Sequence, residues 1–131
     1  MTIKMNSTFT AIGALLAALA VALGAFGAHG LKTLVAENKF SAENLETFHT
    51  AVHYQMIHAL GLILVGLLAA TRPSGMLDAA GWTMLGGIVI FSGFLYAYVA
   101  TGTKLFAIFV PIGGVAFILA WLGVAIAALK K

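Results

Sequence analysis

Charge is excluded from four long apolar stretches of this chain. Residues 8–28, 48–70, 79–100 and 111–129 contain no Asp, Glu, Lys or Arg, and each is close to the ~20 residues that cross a ~30 Å hydrocarbon core as a helix. Backbone amides in hydrocarbon have no water to bond, so a chain segment there must satisfy its own N–H and C=O groups, which an α-helix does. The sequence is therefore predicted to be an all-α integral membrane protein, a four-transmembrane-helix bundle forming a single membrane domain over 1–131. The composition agrees: only 8% of residues are charged, against roughly a quarter in soluble domains, and mean hydropathy is +1.06.

The same composition removes several chemistries. With no cysteine in the chain, disulfides, thiolate metal sites and cysteine nucleophiles are excluded together. The net charge of +3 comes from lysines spread over the span ends, where long cationic side chains snorkel to headgroups. The expected partner is the lipid bilayer, not nucleic acid.

The basic start and first apolar run imitate a secretory signal, but the run is longer than the roughly 7–15 apolar residues of such signals and reads as the first span. Ala20, Gly24 and Ala28 recur every fourth residue beside Gly27, and small side chains at that spacing let a second helix approach closely. Gly30 is expected to stop this helix. Ser41 then reads as an N-cap, with Glu43 and Glu46 in the first turns of a new helix where carboxylates favour the dipole. That helix is too long for the hydrocarbon core, so its amphipathic start, about 42–53, is expected to project into the interface. After a turn at 71–78, the third span carries Gly81, Gly86, Gly87 and Gly93 as packing positions. Pro111 suits a first helical position better than an interior one. The fourth span is accordingly placed at 111–129, bearing Gly113 and Gly114, with 105–110 as a candidate interfacial or re-entrant segment; one kinked helix from Leu105 is the alternative.

Four spans put both termini on one side, together with Arg72. Lys4, Arg72, Lys130 and Lys131 there outnumber Lys32, Lys39 and Lys104 opposite, which favours cytoplasmic termini. The topology gathers His29, His49, His53, Tyr54, Gln55, His58, Ser92, Tyr96 and Tyr98 toward one half of the bundle. The candidate intramembrane polar cluster is His29, Tyr54, Gln55, His58, Ser92 and Tyr96.

A histidine in lipid must find a partner, and three readings of the cluster follow. Hydrogen bonding that fixes helix register is the first. Metal or haem ligation is the second, weakened because no carboxylate or cysteine stands at a matching spacing. A proton or small-solute path is the third. No ion-coupling acid lies inside a span, and Asp78 sits at the opposite face from the histidines, so a Ser-His-Asp triad lacks its acid. The expectation is no catalytic residue, no metal and no cofactor.

GAFGAHGL at Gly24–Leu31, YQMIHALGLILVG at Tyr54–Gly66, FSGFLY at Phe91–Tyr96 and PIGG at Pro111–Gly114 occur in that order. Together they resemble the YgdD-like family of small membrane proteins, catalogued as domain of unknown function 423, and the resemblance covers nearly the whole chain. It implies a four-helix protein of bacterial membranes without an established enzymatic activity. Gly27, His29, Gly30, Tyr54, Gln55, His58, Ser92, Gly93, Tyr96, Pro111, Gly113 and Gly114 match the family pattern. Phe94 replaces a small residue of that pattern, and His49 and His53 lie outside it. The resemblance supplies no mechanism; the role expected from the small-residue helices is non-enzymatic packing with each other or a partner, serving membrane integrity or an accessory subunit in a homo-oligomer or larger complex of the cell inner membrane. The alternative is a small transporter built on a polar half-cavity around His58.

Overall fold

The computed structural model describes the backbone from Thr2 to Lys130 and side chains from Ser7 to Lys130. Lys4 and Lys131, counted above among the terminal charges, lie outside the described side chains. Four helices are long and apolar enough to cross a membrane: α1 (Ser7–Ala36, preceded by helical backbone from Thr2), α2 (Ala42–Thr71), α3 (Gly75–Thr101) and α4 (Lys104–Leu129). Successive helices pack against one another, first on second, second on third, third on fourth. α2 is central, with 44% of its apolar window buried against 17% in α1 and α4. One core cluster draws Phe9 from α1, Leu62 and Val65 from α2, Met84 and Ile88 from α3, and Phe117 and Ala120 from α4. Outside it, Leu15, Ile108 and Ile118 stand 61–71% exposed, as residues whose solvent is lipid.

α1 does not stop at Gly30. The helix widens into a π turn over Gly27–Leu31 and continues to Ala36, with Thr33 Oγ1 donating to His29 O at 2.9 Å. The stop lies at Asn38, which adopts a left-handed φ of 60°. Lys39 N–H bonds Leu34 O and Asn38 N–H bonds Val35 O, the paired closure of a Schellman cap with asparagine in the glycine position. Gly30 keeps helical geometry, and the space a side chain would fill there is taken by the Phe26 ring, 2.8 Å from where a Cβ would stand.

α2 begins as expected: Ser41 Oγ accepts from Asn44 N–H at 3.0 Å, and Glu43 stands in the first turn. The turn into α3 is shorter than expected, because Ser74 already caps α3 by accepting from Met76 and Leu77 N–H. α3 contains a second π turn at Val89–Gly93 and ends at Gly102, whose φ of 71° is the left-handed stop that glycine adopts without a Cβ clash.

The segment 105–110 is not a separate element from the fourth span. Only Gly102 and Thr103 separate α3 from α4, and α4 runs unbroken through Pro111. Phe94 makes edge contacts with Phe106 at 5.8 Å and Phe109 at 6.2 Å, which dock this first part of α4 on α3. Phe94 thus packs against the segment that Pro111 was expected to release. At the other end, Arg72 Nη2 donates to Lys130 O at 2.6 Å, tying the α2–α3 turn to the end of α4.

The packing face of α1 also differs from the every-fourth-residue series. Phe9, Gly13, Ala20, Gly27 and Leu31 are buried, while Ala28 is exposed. At about 100° per residue, eight positions rotate Ala28 some 80° from Ala20, whereas seven return Gly27 to within about 20°. Gly13 is the tightest point: a Cβ there would lie 2.6 Å from Ala59 O on α2.

Candidate functional site

The polar residues divide into two groups on neighbouring faces of α2, about 60° apart. In the first, Gln55 is 2% exposed and joins three helices. Its Nε2 donates to Leu16 O on α1 at 2.9 Å, and its Oε1 accepts from Tyr96 on α3 at 2.6 Å. One helical turn away, fully buried Ser92 donates from Oγ to Ala51 O at 2.7 Å. The π turn that contains Ser92 is a local widening of the helix, a feature that re-aims side chains. Interhelical bonds of this type contribute roughly 0.6–2 kcal/mol each in a bilayer. Every polar atom of this group that crosses a helix boundary ends on a backbone carbonyl or on another member.

The second group surrounds His58. This residue sits about 24 Å from the start of α2 and about 20 Å from its end at 1.5 Å per residue, within the charge-free stretch 48–70. His58 is 4% exposed. Its Nδ1 lies 2.7 Å from Tyr54 O, one turn earlier on its own helix, and its ring stacks on Phe117 of α4 with centroids 3.5 Å apart. Tyr54 approaches it by a parallel ring contact at 6.0 Å. Tyr54 is 39% exposed; its backbone oxygen, not its hydroxyl, partners His58.

His29 is not brought into either group. It is exposed on the π turn of α1, beside Lys32 and Thr33. His49 and His53 are exposed on α2; His49 meets the Phe48 ring beside Gly27 of α1, and His53 meets the Tyr54 ring. Among the described residues no group of three or more His, Cys, Asp or Glu is placed to hold a metal ion.

Of the small residues named from sequence, Gly87 and Gly113 lie at the α3–α4 contact: a Cβ at Gly87 would meet the Phe117 ring at 2.7 Å, and one at Gly113 would meet Phe91 N at 2.5 Å. Ala20 is buried, and Gly27 faces Phe48 at 3.0 Å. Gly24 and Gly114 have looser neighbours at 3.5 and 3.9 Å, and Gly86 and Gly93 have none within 4 Å. Sequence reasoning passed over Gly13 and Gly61, where a Cβ would meet Ala59 O and Met84 Sδ respectively at 2.6 Å. The seven-residue spacing of Gly13, Ala20 and Gly27 carried the signal for the first. The counterpart of Gly61 lies on α3, so no pattern within α2 reveals it.

These features define an all-α, multi-pass membrane protein with four spans, a polar lock between three of them and an aromatic-walled histidine beside it. The chain belongs to the family described as "Protein of unknown function (DUF423)", which matches residues 23–114; that stretch includes Gln55, His58, Ser92 and Tyr96. It is 46% identical over 123 residues to the UPF0382 membrane protein YwdK of Bacillus subtilis, covering 93% of this chain and 96% of the relative. A UPF0382 membrane protein of Staphylococcus epidermidis is 45% identical over 122 residues, covering 93% and 95%. No solved structure matches the chain.

Proposed function

We propose that this chain is a non-enzymatic helix-packing protein of the cell inner (plasma) membrane, acting as an accessory subunit of a homo-oligomer or larger membrane complex, or supporting membrane integrity through such packing. The observation that carries this reading is the outward face of α1, where Ala11, Ala14, Ala18, Ala22 and Ala25 are all exposed. Lipid tails are as apolar as leucine, so helices associate in a bilayer through close backbone approach, which such a face permits. The polar lock supports the same reading against a solute path: Gln55, Ser92 and Tyr96 hold each other and backbone carbonyls. A proton or solute would have to break those bonds to use them.

The cysteine-free sequence makes the test direct. Single cysteines at Ala18 or Ala22 are expected to cross-link in native membranes to a second copy or another subunit, and native mass spectrometry of the mild-detergent extract to give the matching assembly. Monomer at both positions and in the spectrum would overturn the proposal. Cytoplasmic termini are proposed on the lysine and arginine distribution. A cysteine at Asn38 should then react with an impermeant maleimide in intact cells, and one near Lys130 only after permeabilisation; the reverse pattern refutes this orientation.

A further inference from the structure

Between α2 and α4 lies a cavity of about 470 Å³ whose wall includes Tyr54, His58, Phe91, Phe117 and Trp121. This volume is within the range of small-molecule sites, roughly 300–1,000 Å³. Ile118 on its rim is 61% exposed at a depth where the surrounding medium is hydrocarbon, so entry is from the bilayer. The walls are ordered for a flat guest. The rings of Tyr54, His58 and Phe117 lie within 12° of parallel, and Phe91 closes against Tyr54 at 4.6 Å and 41°.

One polar atom of the cavity has a defined and unmet role. A carbonyl oxygen only accepts, so the bond between His58 Nδ1 and Tyr54 O puts the proton of the neutral ring on Nδ1. That leaves Nε2 with a lone pair and no proton. Nε2 has no hydrogen-bond partner among the described residues, although the side chain is almost wholly removed from solvent, being 4% exposed. It is not sealed in either: among the described residues, the one buried side-chain polar atom both closed off and unbonded is Asp78 Oδ1. The lone pair therefore opens onto the cavity that its ring helps to wall. An acceptor left unmet at this depth is costly, and a ligand carrying a donor removes that cost.

We propose that this cavity binds a lipid-soluble hydroxy-aromatic molecule, a phenol or quinol, with its O–H donating to His58 Nε2 and its ring lying along the aromatic wall. A purely carbonyl-bearing ring, such as an oxidised quinone, sets an acceptor against an acceptor at Nε2 and binds less well. The site is independent of the outward alanine face of α1, so its failure and that of the packing role are separable.

The test compares 4-octylphenol with its methyl ether, 4-octylanisole, in which a methyl group replaces the donor proton. In the full chain carrying Trp82→Phe, Trp121 is the remaining tryptophan and reports from the cavity wall; Trp82 lies elsewhere, edge-on to Phe9 at 5.2 Å. The phenol should change Trp121 fluorescence saturably and bind about tenfold more tightly than the ether, the effect of one hydrogen bond. His58→Phe should bring the two probes to equal affinity while leaving ether binding in place. No saturable response to the phenol, equal affinities in the parent, or a preference that survives His58→Phe would each overturn the proposal. Because the probe pair is compared first on the histidine-bearing chain, the result stands even where the phenylalanine variant fails to fold.

Discussion

Gly113 and Gly114 are adjacent, belong to the same PIGG motif and are expected to respond in opposite directions to alanine. A Cβ at Gly113 would stand 2.5 Å from Phe91 N, 2.8 Å from its Cβ and 2.9 Å from its Cα. Carbon contacts relax near 3.5–4.0 Å, so α3 and α4 must part by about 1 Å. Overpacking costs typically 1–3 kcal/mol, and this case belongs near the upper end because the obstacle is helix backbone, which cannot rotate aside. The Gly→Ala helical preference returns roughly 0.5–1 kcal/mol, leaving Gly113→Ala less stable by about 2 kcal/mol. At Gly114 the nearest atom is 3.9 Å away, an ordinary contact, so the preference alone acts and the variant gains about 0.5–1 kcal/mol. Reversible unfolding in mixed micelles of increasing SDS fraction, followed by circular dichroism, measures both. Equal midpoints for the two variants, or a stabilised Gly113→Ala, would refute the close α3–α4 approach on which the calculation rests.

Three further outcomes are expected in the same assay. Gln55→Leu removes both interhelical bonds and strands the Tyr96 hydroxyl, costing about 1–2 kcal/mol; Tyr96→Phe should then cost less in that background than in the parent, and additivity would show the two residues uncoupled. Ser92→Ala should cost under about 1 kcal/mol, because Ala51 O remains within its own helix, and a loss of several kcal/mol would contradict the geometry at 2.7 Å. Gly102→Ala forces a Cβ into a left-handed φ of 71° and should cost about 1 kcal/mol, whereas alanine at the exposed His49 or His53 should stay within about 0.5 kcal/mol of the parent.

Much of the site was legible before the fold. Tyr54, Gln55, His58, Ser92 and Tyr96 stand out because polar side chains in an apolar run need partners, and the topology brings their depths together. Their pairing was not legible. At 100° per residue Gln55 and His58 are about 60° apart on α2, enough for one to meet Leu16 and Tyr96 while the other stacks on Phe117. His29 does not share their depth: Leu16 of α1 lies beside Gln55, and His29 is 13 residues, about 20 Å, further along α1 beside Lys32.

By itself the sequence determined that this protein spans a membrane four times, and where α2 begins, because charge exclusion and capping are local: hydrocarbon rejects charge residue by residue, and Ser41 reaches only its own first turn. The tertiary structure decided what depends on a second helix. Phe94 packs on Phe106 and Phe109, and 104–129 is one helix through Pro111. Contacts between spans likewise set Gly113 apart from Gly114 and stacked His58 on Phe117 of α4. These are facts of distance between residues remote in sequence, and local pattern carries no information about them.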